Sequence, residues 1–509
     1  MLRPTRVVWT FIISSIALFM AALDNLVVTT ALPVIRSTFD ASLGELEWIV
    51  NAYTLTFAVL LLTGAALGDR FGRKRLFVIG LAIFTAGSAV AALSSTVEIL
   101  IVARAIQGLG GAILTPLSLT ILSAAVPKER RAVALGAWGG IAGLAIAIGP
   151  LVGGAIAEGL AWQWIFWVNV PIGLIAIPLA ILRLDETYGP KSRLDLPGLA
   201  LASGGLLAVV WGLVRANELG WTSPPILASF GIGAVLLAGF IAWEARSSEP
   251  MLPLRLFRSQ SFSAVNVVAM LMSFGMFGSV FLLAQFFQVV QGYGPLEAGL
   301  RTLPWTIMPI FVAPLAGVLS SRTGARPLVA LGMGLQAAAL GWISLVISPT
   351  VDYVRIVPAL VMAGVGMGLF FAPIPNVVLS AVRPEEEGKA SGANNAIREL
   401  GGVFGVAVLA SVFSARGSYE TGQAFVDGMI PALQLGAVVV ALGAAVALAL
   451  GGRAPATEKR VRGVSRPVNG AMGGLALLAA RPDPASSNWV GLEFSSVNRT
   501  TNLPDGDPS

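Results

Sequence analysis

The sequence predicts an all-α membrane protein with fourteen transmembrane helices: two six-helix pseudo-symmetric bundles plus two extra central helices. Three observations carry the prediction. Of 509 residues, 56% are hydrophobic and 12% charged, about half the charge of an average soluble domain, and mean hydropathy is +0.81. The apolar residues fall in stretches of roughly the ~20 residues that a helix needs to cross a bilayer. Lys and Arg collect in alternate loops, as membrane topology requires.

Each stretch between charges is read as a span, and in lipid each must be a helix, because a lone strand cannot satisfy its backbone there. The first runs from Val7 to about Thr30, interrupted only by Asp24. It lacks a clear small-residue cleavage site and leads straight into a second apolar span, so it reads as a retained helix rather than a signal peptide. Trp48 to Gly68, Leu76 to Val97, Ile99 to Val126 (with Arg104), Ala132 to Ala157 and Ala161 to Leu182 complete a first group of six. Leu196 to Val214 and Pro224 to Trp243 are the two extra spans. The charge-free stretch Ser259 to Leu296 holds the ninth span and its turn. Thr302 to Ser321, Pro327 to Ile347, Ile356 to Ala381, Ala393 to Ala415 and Met429 to Leu450 finish the second group. The resulting organisation is a bundle over 1–182, two extra helices with linkers over 183–258, a second bundle over 259–451, and a disordered cytoplasmic tail over 452–509, where Pro, Ser, Asn, Arg and Asp dominate.

With the N-terminus in the cytoplasm, nineteen Lys or Arg residues fall in inside loops before the tail is counted, against Arg36, Arg215, Arg355 and Arg416 outside, with Arg301 near that side. The expectation is a cell (inner) membrane protein with both termini cytoplasmic. The net charge of +6 is therefore a topology signal and not a nucleic-acid footprint. The chain has no Cys and no His, which excludes disulfides, Cys or His metal sites, thiol nucleophiles and Ser-His triads. No cofactor or metal is expected, proton chemistry falls to Asp, Glu, Arg, Lys or Tyr, and an enzyme is disfavoured. A nucleotide-driven pump is excluded by the lack of a phosphate-binding loop: the only Gly-Lys, Gly388-Lys389, is followed by Ala390.

Two segments recur. After span two the chain reads Gly64-Ala-Ala-Leu-Gly68-Asp69-Arg70-Phe-Gly72-Arg73-Lys74-Arg75, and after span ten Ala316-Gly317-Val-Leu-Ser320-Ser321-Arg322-Thr-Gly324-Ala325-Arg326. Gly108-Leu-Gly110-Gly111 with Pro116 in span four is echoed by Gly364-Val-Gly366-Met-Gly368 with Pro373 in span twelve. Repeats of this kind build transporters with a central site between the repeats.

Gly68 and Gly72 permit a tight turn between helices. Asp69 among basic residues is placed to pair with an Arg while Arg70 and Arg73 brace the loop, a cluster suited to holding one conformation shut and releasing it in another; the plain alternative is positive-inside anchoring. Gly139-x-x-x-Gly143 and Gly149-x-x-x-Gly153 permit close helix approach, and Pro150 permits a kink. Asp24 lies about fifteen residues into the first helix. An ionised carboxylate at that depth costs ~3 kcal/mol on insertion scales, so it must face a cavity, pair or be protonated, which makes it a candidate proton carrier. Arg104 stays charged when buried and needs a partner, with Asp24 one choice. Arg398-Glu399 in span thirteen is the other embedded pair, either a local salt bridge or a proton site. Asn51, Tyr53, Gln107, Asn266, Gln285, Gln288, Asn376, Asn394 and Asn395 are further polar residues on or near spans.

These residues resemble the major facilitator superfamily, and within it the fourteen-span drug:proton antiporters, over about residues 8 to 450. The resemblance rests on Gly68-Asp69-Arg70-x-Gly72-Arg73; on Arg104-Ala-Ile-Gln107-Gly108-Leu-Gly110; on Gly149-Pro150-Leu-Val-Gly153-Gly154, with Gly136 upstream and Ala145 where a middle Gly is usual; and on Leu23-Asp24-Asn-Leu-Val-Val-Thr-Thr-Ala31-Leu32-Pro33. Trp162-Gln163-Trp164-Ile-Phe166 and Asn169-Val-Pro171-Ile-Gly173 fit the same group, with Gln163 where an Arg is common. The resemblance implies a proton-coupled exporter of lipophilic drugs or toxic small molecules. It gives Arg104 a part in proton coupling, with Asp24 and Glu399, and ties Gly149, Pro150, Gly153 and Gly154 to exchange rather than symport. On this reading drug and proton compete for one embedded charge while the halves rock. A dedicated exporter of one endogenous metabolite, antibiotic or lipid is the alternative, and a passive facilitator is disfavoured by Asp24. The expected partners are substrate, protons and the bilayer; no nucleic acid and no obligate protein partner is expected, and the chain is expected to act as a monomer.

Overall fold

In the computed structural model, which describes residues 4–189, 194–383 and 386–450, fourteen helices are long and apolar enough to cross a membrane: α1 (Arg6–Phe39), α2 (Leu43–Phe71), α3 (Arg73–Ala92), α4 (Val97–Ala125), α5 (Ala137–Gly159), α6 (Trp164–Arg183), α7 (Leu196–Leu219), α8 (Pro224–Arg246), α9 (Gln260–Val290), α10 (Pro295–Ser320), α11 (Ala325–Val346), α12 (Tyr353–Ser380), α13 (Glu387–Arg416) and α14 (Gly422–Ala447). The tail expected over 452–509 lies outside the described residues.

The helices overrun the charge-to-charge limits set from sequence. Helix α1 continues beyond Thr30 through Pro33 and Arg36. Helix α2 begins five residues before Trp48, where Ser42 and Glu45 form a reciprocal cap: the Glu45 backbone donates to Ser42 Oγ at 3.3 Å and the Ser42 backbone to Glu45 Oε2 at 2.7 Å. Helix α10 starts at Pro295, ahead of Arg301. Caps and not charges end a helix, and a charged side chain that faces protein, such as Glu47 at 2% exposure, can sit well inside one.

The packing repeats with a shift of eight helices. The pairs α1–α5, α2–α4, α3–α4 and α3–α6 recur as α9–α13, α10–α12, α11–α12 and α11–α14. The repeated turns match in conformation. Gly72 ends α2 at φ +109° and Gly324 ends α10 at φ +85°. Each donates its N–H four residues back, to Gly68 O at 3.0 Å and Ser320 O at 2.9 Å. A left-handed φ favours glycine, so this is the physical basis of the sequence echo. Helices α7 and α8 pack on each other, and α7 lies against α2 and α13.

One face of the bundle carries Arg6, which pairs with Asp185 at 2.7 Å, and the Gly68–Arg75 loop; we call it the near face. The two bundles meet along α2 and α13, where Gly392 packs on Leu62 toward the near face, and in a set of contacts toward the opposite, far face. The Leu296 N–H donates to Glu158 at 2.9 Å, and Gln288 Nε2 donates to Thr30 O at 2.8 Å. Arg36 stacks 3.5 Å over the Tyr419 ring. At mid-depth Thr306 Oγ1 donates to Ala147 O at 2.9 Å.

Candidate functional site

Asp24 and Arg104 meet. Arg104 Nη1 on α4 donates to Asp24 Oδ2 on α1, and the two residues are 0% and 2% exposed. Asp24 Oδ1 accepts from Gln107 Nε2 at 3.0 Å and from Asn169 Nδ2 of α6 at 3.1 Å. Gln107 also donates to Ser88 Oγ of α3 at 2.7 Å and accepts from Arg104 Nη1 at 3.0 Å. Arg104 Nε is held by Ile49 O of α2 at 3.1 Å, and its guanidinium lies 4.3 Å over the Tyr53 ring. Five helices of the first bundle therefore converge on one carboxylate. Arg104 and Gln107 reach it together because residues three apart share a helix face. A buried charge pair is tolerable only when its lone pairs and protons are matched. Here Arg104 Nη2 alone of these donors lacks a partner.

Asp24 does not face the central cavity. Leu26, Thr29 and Thr30 of α1 line that cavity with Pro150 of α5 and, from the second bundle, Met276, Phe277, Val280, Ala284, Thr302, Trp305, Thr306 and Met367. It is a small, partly open space, and no charged side chain lines it. Leu26 is two residues past Asp24, about 200° around the helix, so charge and cavity occupy opposite sides of α1. The expected direct competition of substrate and proton for one exposed charge is not built into this conformation; any coupling runs through α1.

The Gly149–Gly154 segment is where α5 wedges between α1 and α10. A Cβ on Gly149 would stand 2.8 Å from Leu26 Cβ, one on Gly153 2.7 Å from Val27 O, and one on Gly154 2.8 Å from Leu296 Cα. Gly299 of α10 packs against Pro150, its Cβ position 2.9 Å from the Pro150 carbonyl carbon. At Gly139 and Gly143, by contrast, no atom lies within 4 Å of an added Cβ. Of the two glycine pairs expected to allow close approach, only the one toward the far face meets a neighbour.

In the near-face loop Asp69 pairs with Arg73 at 2.8 Å, and Gly64 and Gly68 press α2 onto Ala112 and Leu117 of α4. Arg70 is exposed and lies 5.2 Å over the Phe71 ring. The acid that ties down the start of α3 is Glu186, which accepts from the backbone N–H groups of Lys74 at 2.9 Å and Arg75 at 3.2 Å, a charge placed on a helix N-terminus. In the second bundle Glu399 pairs with Arg398 at 2.8 Å. Arg398 shares a cleft with Asn394, Asn395, Phe371 and Ser391, and Asn394 donates to Asn266 at 3.1 Å. Tyr53, beneath Arg104, donates to Ala21 O of α1 at 3.0 Å.

Sequence reasoning passed over Ser88, Glu186 and Glu47. Nothing marks Ser88 among the other small residues of its span. Glu186 stands in a linker, where its partner helix could not be read. Glu47, next to Trp48, reads from the sequence as the border of the second span.

A repeated helical bundle with a cavity at the repeat interface and embedded charges beside it is how secondary transporters are built, and that is the class defined here. The description of the Major Facilitator Superfamily matches residues 14–406, and the chain belongs to that superfamily, whose members are transporters and not enzymes. It is 35% identical over 423 residues to a tetracenomycin C resistance and export protein of Streptomyces glaucescens, covering 82% of this chain and 77% of that one. It is 36% identical over 409 residues to the multidrug resistance protein Stp of Mycobacterium tuberculosis, covering 80% and 76%. Among solved structures, a bacterial homologue of the human lysosomal transporter Spinster, in an inward-facing and unoccupied conformation, aligns with a TM-score of 0.62 at 16% identity, covering 88% of this chain and 97% of that one. That last likeness concerns the fold alone.

Proposed function

We propose that the protein is a proton-coupled antiporter that exports lipophilic drugs or toxic small molecules across the cytoplasmic membrane by alternating access. The carrying observation is the Asp24–Arg104 pair, fully buried among five spans on the side of α1 opposite an uncharged cavity. On this reading the near face, with its excess of Lys and Arg, is cytoplasmic, both termini are inside, and the chain works as a monomer. The 1–182 and 259–451 bundles are the moving halves, with 183–258 as an added helix pair.

Protonation of Asp24 weakens its hold on Arg104 and loosens α1 from α4. Because Thr29, Thr30 and Leu26 on the other side of α1 line the cavity, the same movement alters the substrate site. The Gly149–Gly154 wedge is the fulcrum on which α5 rocks against α10. Asp69, Arg70 and Arg73, on the glycine frame of Gly64, Gly68 and Gly72, latch the near face. Glu399, paired with Arg398, is the second proton-responsive group. The cavity wall of Met, Phe and Trp side chains suits apolar ligands of varied shape. A dedicated exporter is the second reading, favoured by the names of two relatives: the tetracenomycin C protein and a methylenomycin A resistance protein of Streptomyces coelicolor, 34% identical over 411 residues, with 80% of this chain and 85% of that one covered.

The test is transport in proteoliposomes under an imposed pH gradient, across a panel of lipophilic cations and neutral drugs, with Asp24→Asn beside the wild type. Gradient-dependent movement lost in Asp24→Asn is the expected result. Movement indifferent to the gradient sinks the antiport reading, and silence across the panel with folded protein selects the dedicated exporter.

A further inference from the structure

The scheme above leaves Glu47 unused. It lies about one turn inside the far end of α2, is 2% exposed, and its Oε2 has no hydrogen-bond partner. Asn51, one turn on along the same helix face, is fully buried with both side-chain atoms unpartnered. Among the described residues, none of the charges on helices packed against α2 forms an ion pair with Glu47. Arg36 of α1 lies over Tyr419, and Arg104 of α4 is held by Asp24 and Ile49 O. Arg215 of α7 pairs with Glu218, and Glu399 of α13 with Arg398.

Tyr419, in the connection between α13 and α14, belongs to the second bundle and donates to Gln285 of α9. Arg36, stacked on the Tyr419 ring, also donates its Nε to Ala41 O at 3.3 Å just ahead of α2, so the two bundles join beside the end of α2 that carries Glu47. An ionised carboxylate buried without a cation or donors is among the most costly arrangements a protein can hold. This closed arrangement of the far end therefore disfavours the charged form of Glu47, whose Oε2 has neither cation nor donor, and opening that end to water permits it.

We propose that Glu47 is a further proton-uptake site, loaded from water at the far face, and that its protonation is what lets the far end close. The proton comes from that water and returns to it when the end reopens, so Glu47 is a gate and not a carrier. The proposal rests on the reading that the far face is external. Acid outside then closes the outer end and turns the cavity inward, the order that an exporter driven by inward protons requires.

The experiment exploits the absence of native cysteine. Thr302→Cys, buried on the cavity wall below the far-face seal, is labelled with a membrane-impermeant thiol reagent in right-side-out and inside-out vesicles across a pH series, with no drug and no imposed gradient. From the far face, labelling should fall as pH falls, by up to about tenfold per pH unit, the limit for a gate closed by one proton. Adding Glu47→Gln should leave the site protected at every pH. Glu47→Asp, which keeps the acid, should shift the midpoint, and decides the matter if Glu47→Gln does not fold. Labelling independent of pH in the wild type, or an unaltered titration in Glu47→Gln, overturns the proposal. If the far face proves to be the one reached only in inside-out vesicles, the orientation is what fails, and a transport assay without gradient dependence fails the antiport reading while leaving this gate intact.

Discussion

Replacing Asp24 by Asn keeps the shape of the side chain and removes its charge, and the geometry says why no orientation of the amide is comfortable. Asp24 accepts from three donors: Arg104 Nη1, Gln107 Nε2 and Asn169 Nδ2. If the Asn oxygen stays with Arg104, its NH2 group faces two amide donors at about the 3.0 and 3.1 Å now spanned. If it turns, the NH2 group faces the guanidinium. Gln107 cannot flip to compensate without giving up its donation to Ser88 and its acceptance from Arg104. The dominant loss is the uncompensated Arg104 charge, for which breaking one side of a buried pair costs about 3–5 kcal/mol. Removing both members removes the problem: Asp24→Leu with Arg104→Met should recover most of that loss, since apolar replacement of a buried pair is often neutral, while transport stays abolished. Equilibrium unfolding by SDS in mixed micelles measures the stabilities, and the proteoliposome assay measures transport. Single variants that lose less than about 1 kcal/mol, or a double variant that loses the sum of the singles, would refute the claim that the pair is a closed, mutually dependent unit.

Gly153→Val places a Cβ 2.7 Å from Val27 O and 3.0 Å from Val27 Cα; backbone cannot give way cheaply, so α1 and α5 separate at a cost of about 1–3 kcal/mol, and transport falls further than the unfolding assay does. Gly72→Ala forces a side chain to φ +109°, against the Glu186 carboxylate as well, and should cost about 1–3 kcal/mol in the same assay. Asp69→Asn breaks the partly exposed Arg73 pair; its effect on stability stays below about 1 kcal/mol, and its effect on turnover is the larger one, read as transport rate at saturating substrate. An uncharged cavity predicts that a neutral lipophilic compound competes at least about tenfold better than a permanent dication of similar size, measured by inhibition of transport.

Span count, handedness of the loop charges and the family were legible because lipid enforces them locally. Each apolar run has to be a helix of bilayer length, and the Gly72 and Gly324 turns repeat because both need a left-handed residue between consecutive helices. The embedded acid in the first span and the arginine in the fourth were visible for the same reason, since neither belongs in hydrocarbon alone. Which groups complete them was not. Asn169, Gln107 and Ser88 are brought to Asp24 from spans up to 145 residues away in sequence, and no local pattern encodes that convergence. Nor did the sequence show that Asp24 and the cavity sit on opposite sides of α1, because a helix face has no identity until its neighbours are placed. Glu47 marks the limit of reading charges as borders: a cap at Ser42 set the helix end, and only packing made the acid interior. Composition and periodicity fixed what had to lie within the membrane; the contacts between helices decided which of those residues face charge, which face substrate, and which face nothing at all.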